Sequence, residues 1–249
     1  GDTPLSNVSE AVTAEAPASI FIAGEPLRFT SSINNNDLTW TVKDWHGQVI
    51  SSGKWPGNGS EPLQLEQLPT GYYQLFAGIG DKMLPGFCSF TIVTDPAKRK
   101  HNPDTFFAVD TAQSWLVYSN DAITGHRFKD GHKQIAEAAR RAGVDYVRDR
   151  MYWSSFETKP GIYNTAEQTL EYTKWIQESG IGTLVMFHDT LPAYHGKLIM
   201  MPSDLLAVYN YCKNLAIKLN GKVTAWEFWN EPDVGFSAEG AWDYASALK

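Results

Sequence analysis

Residues 203–233, SDLLAVYNYCKNLAIKLNGKVTAWEFWNEPD, contain in order a helix, a strand and a sharp turn. Apolar side chains recur every three or four positions in residues 204–219, which predicts an amphipathic helix capped by Ser203 and ended by Asn220-Gly221. The apolar run at residues 223–229 then predicts a buried strand. Pro232 ends that strand, because proline has no backbone N–H to donate.

The same alternation occurs upstream. Strand-like runs lie at residues 105–110, 145–150 and 182–187, and helical patterns lie at residues 131–141 and 166–179. Gly143 and Gly180 occupy positions typical of helix C-caps. Strands that alternate with helices predict a parallel sheet with right-handed crossovers.

A spacing of roughly 40 residues between strands favours a (β/α)₈ TIM barrel over a compact doubly wound sheet. A complete barrel takes about 250 residues, so residues 103–249 supply about four βα units and end within the fourth helix. We therefore expect the N-terminal half of a barrel, with the other half cut away, on another chain or outside this sequence.

Residues 1–95 have a different pattern. Six short runs rich in β-branched and aromatic residues are separated by glycine and asparagine clusters such as Asn34-Asn35-Asn36 and Gly57-Asn58-Gly59. This spacing predicts an antiparallel β-sandwich, which we take as an immunoglobulin-like accessory domain. The basic segment at residues 96–102 is bounded by prolines and is interpreted as a linker, with a long surface loop as the alternative.

Composition excludes several function classes. The 249 residues carry 21 basic and 28 acidic side chains, a net charge of −7, which argues against binding nucleic acid or anionic lipid. No apolar run approaches the roughly 20 residues of a membrane helix. Cys88 and Cys212 are the two cysteines, and we expect two thiols rather than a disulfide.

The chain has an excess of aromatic residues, with 9 Trp, 11 Tyr and 12 Phe. Part of this excess is expected in the cores, but exposed Trp and Tyr also suit the C–H faces of sugar rings. The start at Gly1-Asp2-Thr3-Pro4 is consistent with a processed or engineered end. We expect an extracellular or periplasmic protein whose signal peptide has been removed.

The chemistry-bearing groups follow the strand at residues 223–229. In a βα barrel, catalytic groups lie at the carboxyl ends of the strands, and here those groups are the amide of Asn230 and the carboxyl group of Glu231. A glycosidase needs one carboxyl group as general acid and a second as nucleophile or base. Asn230 can donate to a sugar hydroxyl and hold the acid in place.

At Trp226-Glu227-Phe228-Trp229-Asn230-Glu231-Pro232 the sequence resembles the glycoside hydrolases of clan A, which are retaining (β/α)₈ enzymes. The resemblance implies that Glu231 is the acid/base and that Asn230 contacts the substrate 2-hydroxyl. Residues 153–163 are similar to a loop of family 39-like members, although the order of residues differs. The resemblance covers residues 103–249.

The resemblance also implies substrate-binding roles for four other residues: Arg148, His188, Trp153 and Trp229. Each has an alternative. Arg148 could pair with Glu227, His188 could be a hydrogen-bonded structural histidine, and both tryptophans could be core. Glu157 is interpreted as a loop brace rather than a catalyst.

No cofactor is expected, and the histidines lack the spacing of a helical zinc site. The implied nucleophile is a second Glu at the end of a seventh strand, so we expect it beyond Lys249 and expect this chain alone to be inactive. The expected partner is a carbohydrate substrate. Open strand edges also predict pairing with the missing half or with a second copy.

Two alternatives to a glycosidase remain. The chain could be a non-catalytic carbohydrate-binding or scaffold protein on a degenerate barrel. It could also be a barrel enzyme of another chemistry, because this fold hosts many reactions.

Overall fold

The computed structural model describes residues 11–99, 107–113, 131–164, 167–189, 202–232 and 241–249. The chain divides into two compact units, made mainly of residues 1–101 and residues 102–249. The predicted linker begins with a short 3₁₀ helix, Pro96–Lys98, and Asp95 accepts a hydrogen bond from the N–H of Ala97 at 3.0 Å. The rest of the linker, from residue 100, lies outside the described residues.

The first unit is built from short strands. They are β1 (Val12–Ala14), β2 (Ile20–Ile22), β3 (Leu27–Ser31), β4 (Leu38–Asp44), β5 (Val49–Lys54), β6 (Leu63–Leu65), β7 (Gly71–Ile79), β8 (Lys82–Met83) and β9 (Cys88–Val93). The six predicted runs each contain one of these strands. The sequence analysis missed β1, β2 and β8, which have only two or three residues each.

These strands form two sheets. The smaller has the order β1-β3-β6, and the larger has the order β2-β9-β7-β4-β5 with β8 beside β7. All pairs are antiparallel except β2–β9, which is parallel. The prediction of a wholly antiparallel unit is therefore wrong for this edge pair.

Apolar side chains from both sheets form one core. Phe29 of the smaller sheet lies with its ring centroid 4.9 Å from that of Phe90 in the larger sheet. Cys88 is buried in the same core, as predicted. The hydroxyl of Tyr73 donates to the carbonyl of Pro69 at 2.9 Å, which fixes the chain entering β7.

The second unit alternates strands and helices, with a small hairpin after the second strand. The elements are β10 (Ala108–Asp110), α1 (Gly131–Ala142), β11 (Tyr146–Tyr152), α2 (Trp153–Phe156), β12 (Glu157–Lys159), β13 (Ile162–Tyr163), α3 (Glu167–Glu178), β14 (Gly182–His188), α4 (Leu205–Lys218), β15 (Ala225–Phe228) and α5 (Ala241–Leu248).

The four main strands of this unit form one parallel sheet in the order β10-β11-β14-β15. The predicted strands and helices are confirmed in order and type. One detail of α4 differs, since Asp204 rather than Ser203 caps it: the Asp204 carboxylate accepts the N–H of Ala207 at 3.0 Å. Sequential parallel order is what the first strands of a barrel require.

The two faces of this sheet differ in chemistry. Val147 and Met151 of β11 and Val185 of β14 are buried in the core formed with the helices. Because side chains alternate along a strand, Arg148 and Arg150 lie on the opposite face. That face collects the polar groups described next.

Two further features concern the pairing of the cysteines and the length and polarity of the helices. Cys88 and Cys212 are both free thiols, as expected. No helix among the described residues is both long and apolar enough to cross a membrane.

Candidate functional site

Polar side chains gather on the open face of the parallel sheet and at its carboxyl edge. Asp110 ends β10, His188 ends β14, and Trp229 to Glu231 follow β15 directly. The register sets Asp110 beside Arg148, and Tyr152 beside His188. The sheet therefore brings these groups together from four separate segments of the sequence.

Arg148 is the centre of this cluster. Its Nε and Nη2 atoms donate to the two carboxylate oxygens of Glu227, both at 2.7 Å. Nη1 donates to Oδ2 of Asp110 at 2.8 Å, and Nη2 also donates to Oδ1 of Asn230 at 3.2 Å. The alternative in which Arg148 pairs with Glu227 is what the structure shows, and the same guanidinium also positions Asn230.

Arg150 extends the network. It donates from Nη1 and Nη2 to the two carboxylate oxygens of Asp110, at 2.9 and 3.0 Å. The sequence analysis overlooked this residue, although strict alternation along Tyr146–Tyr152 places it on the same face as Arg148.

The charges in this cluster shift the pKa of Arg148 and the pKa of Asp110. The hydrogen bonds from Arg148 to Glu227 raise the pKa of the guanidinium above its ordinary value, despite partial burial. Burial alone would raise the pKa of Asp110, but the hydrogen bonds and charges of Arg150 and Arg148 outweigh it and hold that pKa below its usual value. Arg148 and Asp110 are therefore both charged at neutral pH.

Asn230 is oriented by this network. An arginine only donates hydrogen bonds, so the amide oxygen of Asn230 faces Arg148. The amide NH₂ of Asn230 remains as a donor, and none of the described residues accepts from it. A hydrogen-bond donor fixed beside Glu231 is what recognition of a sugar hydroxyl requires.

Glu231 is exposed at the end of the sheet. Among the described residues, none donates a hydrogen bond to its carboxylate. Its backbone has a φ of 45°, that of Trp229 is 68°, and that of Asp189, at the end of β14, is 65°. Positive φ is uncommon outside glycine, and strained residues cluster at functional sites. Here three of them lie at the carboxyl ends of two adjacent strands.

His188 and Trp229 lie side by side. Their ring centroids are 5.8 Å apart, and the ring of Tyr152 contacts His188 edge-on with centroids 5.6 Å apart. Nδ1 of His188 lies 3.0 Å from Oδ1 of Asp189, without the alignment of a hydrogen bond. Trp229 is only 3% exposed, and its indole N–H has no hydrogen-bond partner among the described residues. The burial of Trp229 therefore agrees with the alternative in which it is a core residue. Its unpaired indole N–H is not explained by that alternative.

Trp153 requires a correction. It is 1% exposed and stacks on Tyr211 with ring centroids 4.5 Å apart and planes within 4°. β11 ends at Tyr152, and the helical turn that begins at Trp153 carries its ring to the helix side of the sheet. The predicted contact of Trp153 with substrate is therefore wrong, and its core alternative is right.

Glu157 is a brace, as interpreted from the sequence. Its buried carboxylate accepts hydrogen bonds from the indole N–H of Trp153 and, at 2.6 Å, from the backbone N–H of Gly161. Both donors belong to the turn and hairpin after β11. No group of three or more His, Cys, Asp or Glu side chains suited to a metal occurs within the described ranges.

The fold of this chain is similar to that of a protein of known structure. No protein-family model and no curated protein sequence matches this chain. A family 39 glycoside hydrolase from the gut symbiont Bacteroides cellulosilyticus WH2 matches 88% of the chain with a TM-score of 0.65 and 17% identity. The chain spans 43% of that protein's length. At this identity, the similarity establishes the fold, which is shared with part of a glycoside hydrolase.

Other solved structures match less of the chain. The match with a β-glycosidase from Pyrococcus horikoshii covers 54% of this chain and 37% of that protein, with 17% identity and a TM-score of 0.40. The match with a family 1 β-glucosidase from Thermotoga maritima covers 55% of this chain and 38% of that protein, with 17% identity and a TM-score of 0.36. These likenesses are too distant to add to the assignment of the fold.

Proposed function

We propose that this protein hydrolyses glycosidic bonds by a retaining mechanism in which Glu231 is the general acid/base. The observation that carries the proposal is the arrangement at the end of β15: Glu231 is exposed, and the neighbouring Asn230 amide is held by Arg148 at 3.2 Å. The shared fold with a family 39 glycoside hydrolase supports it.

In the proposed reaction, Glu231 first protonates the departing glycosidic oxygen. A second carboxylate forms a covalent glycosyl-enzyme, and Glu231 then deprotonates the water that releases the sugar. Asn230 donates to a hydroxyl of the sugar, and His188 and Trp229 border the site. We assign the nucleophile to none of the described residues, because Asp110 and Glu227 are both occupied by arginines.

We further propose that the first unit is an immunoglobulin-like β-sandwich accessory domain. Two sheets with one shared core support this, as does the hydrogen bond of Tyr73 to a carbonyl four residues upstream. The shared core of the two sheets fits a domain that has its own hydrophobic core.

The test compares Glu231→Gln with wild type in the full natural protein, using aryl glycosides of graded leaving-group pKa. The variant should lose turnover by about 10²–10⁴-fold on poor leaving groups, and less on good ones. Added azide should restore part of the rate on activated substrates, because the second step no longer needs a base. Glu178→Gln, an exposed carboxylate on α3, is the matched control and should keep full activity.

Equal turnover of Glu231→Gln and wild type on unactivated glycosides would refute the acid/base assignment. Sugar binding without turnover by the wild-type protein would instead identify a non-catalytic carbohydrate-binding protein.

A further inference from the structure

The larger sheet of the first unit has an outward face that its core does not use. In β4, Leu38 and Val42 are buried in the core, so Thr39, Thr41 and Lys43 lie on the opposite face. The register places Gly78 of β7 beside Thr39. This outward face belongs entirely to the first unit.

One end of this face holds a groove of about 400 Å³. Besides glycines and an alanine, it is lined by three hydroxyl side chains, one lysine, one carboxylate, one tryptophan and one methionine: Thr39, Thr41, Ser52, Lys54, Asp81, Trp40 and Met83. Gly78 keeps the groove open, because a Cβ there would lie 2.7 Å from Oγ1 of Thr39. The lining thus offers several hydrogen-bonding groups close together.

An exposed aromatic pair lies at the other end. Trp45 is 73% exposed, and its ring contacts Tyr72 edge-on with centroids 5.5 Å apart. The turn that carries Trp45 is fixed, since the carboxylate of Asp44 accepts the N–H groups of His46 and Gln48, both at 2.9 Å. The indole is therefore presented to solvent on a rigid turn, which limits the entropy lost when a ligand stacks on it.

A third aromatic side chain lies between the groove and the pair. Phe76 contacts Phe87 at 5.3 Å, and Nζ of Lys43 lies 4.9 Å from the centre of the Phe76 ring. From Thr39 in β4 to Trp45 on the turn after it, the chain advances six residues, about 20 Å. Polar and aromatic groups thus alternate along an extended path, which suits a chain-like ligand rather than a compact one.

We propose that this path binds a polysaccharide chain, with Thr39, Thr41, Lys43, Trp45, Tyr72 and Phe76 as its platform. Sugar rings offer apolar C–H faces to aromatic rings and hydroxyls to polar side chains, and the platform supplies both. The charged side chains on the outward faces of β4, β5 and β7 are Lys43 and Lys54, and the groove lining adds one carboxylate, Asp81. These lysines favour a chain that contains uronic acids. This inference rests on other residues than the proposed hydrolase site.

The test is affinity gel electrophoresis of the 249-residue protein in gels that contain polygalacturonate, xylan or mixed-linkage β-glucan. At least one polysaccharide should retard the wild type, and Trp45→Ala should raise its dissociation constant about tenfold. Lys43→Met with Lys54→Met should weaken binding to polygalacturonate much more than binding to the neutral chains. The measurement is of binding and not of turnover, and the substituted residues lie outside the proposed hydrolase site, so a failure of the hydrolase proposal does not affect this result.

Tyr209→Ala is the matched control, because Tyr209 is 57% exposed on α4 and also has a lysine, Lys213, over its ring. It should bind like wild type. No retardation by any of the three polysaccharides, or equal retardation of Trp45→Ala and wild type, would overturn the proposal. Light scattering is run in parallel, and a change in oligomeric mass caused by Trp45→Ala would also overturn it by identifying the platform as a contact between copies.

Discussion

Arg148 and Glu227 pair across a strand that lies between them. Arg148 belongs to β11 and Glu227 to β15, and β14 separates these strands in the sheet. The guanidinium reaches over Met186 of β14, with Nη2 3.6 Å from its sulfur, and makes two hydrogen bonds of 2.7 Å to the carboxylate. It also binds Asp110 of β10. One side chain therefore contacts all four parallel strands.

Arg148→Met should lower the free energy of unfolding by about 1–3 kcal/mol, because Glu227 loses its arginine partner and Asp110 keeps only Arg150. Arg148→Lys should be intermediate, since an ammonium group cannot make the two parallel bonds to Glu227. Urea unfolding measures both. Lys174→Met, which breaks a surface ion pair of 3.8 Å with Glu178, should change the free energy by no more than about 0.5 kcal/mol. A cost for Arg148→Met as small as that of the control would contradict the bridging role.

The carboxyl group of Asp110 should make stability depend on pH in the acid range. Its pKa in the folded protein is below the ordinary 3.8, so its contribution is complete above that ordinary value and is lost as the pH falls through the folded pKa. Removing the group by Asp110→Asn should therefore cost stability at pH 7, and this cost should shrink as the pH falls below about 4. Urea unfolding at a series of pH values would show it. A cost that stays constant down to pH 2 would disprove the assignment.

Gly182 should be intolerant of a side chain. A Cβ at Gly182 would lie 2.3 Å from the ring of Tyr146, its register partner in β11. We expect Gly182→Ala to destabilise the protein by about 1–3 kcal/mol. The same substitution should cost less in a Tyr146→Ala background, because the obstructing ring is gone. Additive costs in this double-mutant cycle would show that the two strands are paired in a different register.

Cys212 should react slowly with thiol reagents. Burial raises its pKa to about 12, so the thiolate that attacks such reagents is scarce at pH 8. Burial also raises the pKa of the Cys88 thiol. With a disulfide-exchange reagent at pH 8, the native protein should show almost no fast thiol, and the denatured protein should show two. A fast stoichiometric reaction of the native protein, lost in Cys212→Ser, would contradict this picture.

Much of the second unit could be predicted because its elements are long enough to show a period. The helix α4 and the strand β15 follow directly from apolar spacing in residues 204–229, and the parallel order follows from the alternation of strands and helices. The end of β15 could also be predicted from the sequence, because proline and the polar pair Asn230-Glu231 interrupt an apolar run. In the first unit, β1 and β2 were missed, and the parallel pairing of β2 with β9 has no local signal.

The sequence by itself determined the longer strands and helices and placed Asn230 and Glu231 at a strand end, because these features depend on neighbours within a few residues. Tertiary structure alone decided the partners. It joined Arg148 to Glu227, 79 positions away, turned Trp153 into the core, and left Trp45 exposed on a turn. Such outcomes depend on strand order and on which face a side chain occupies, and both are set when distant segments pack together.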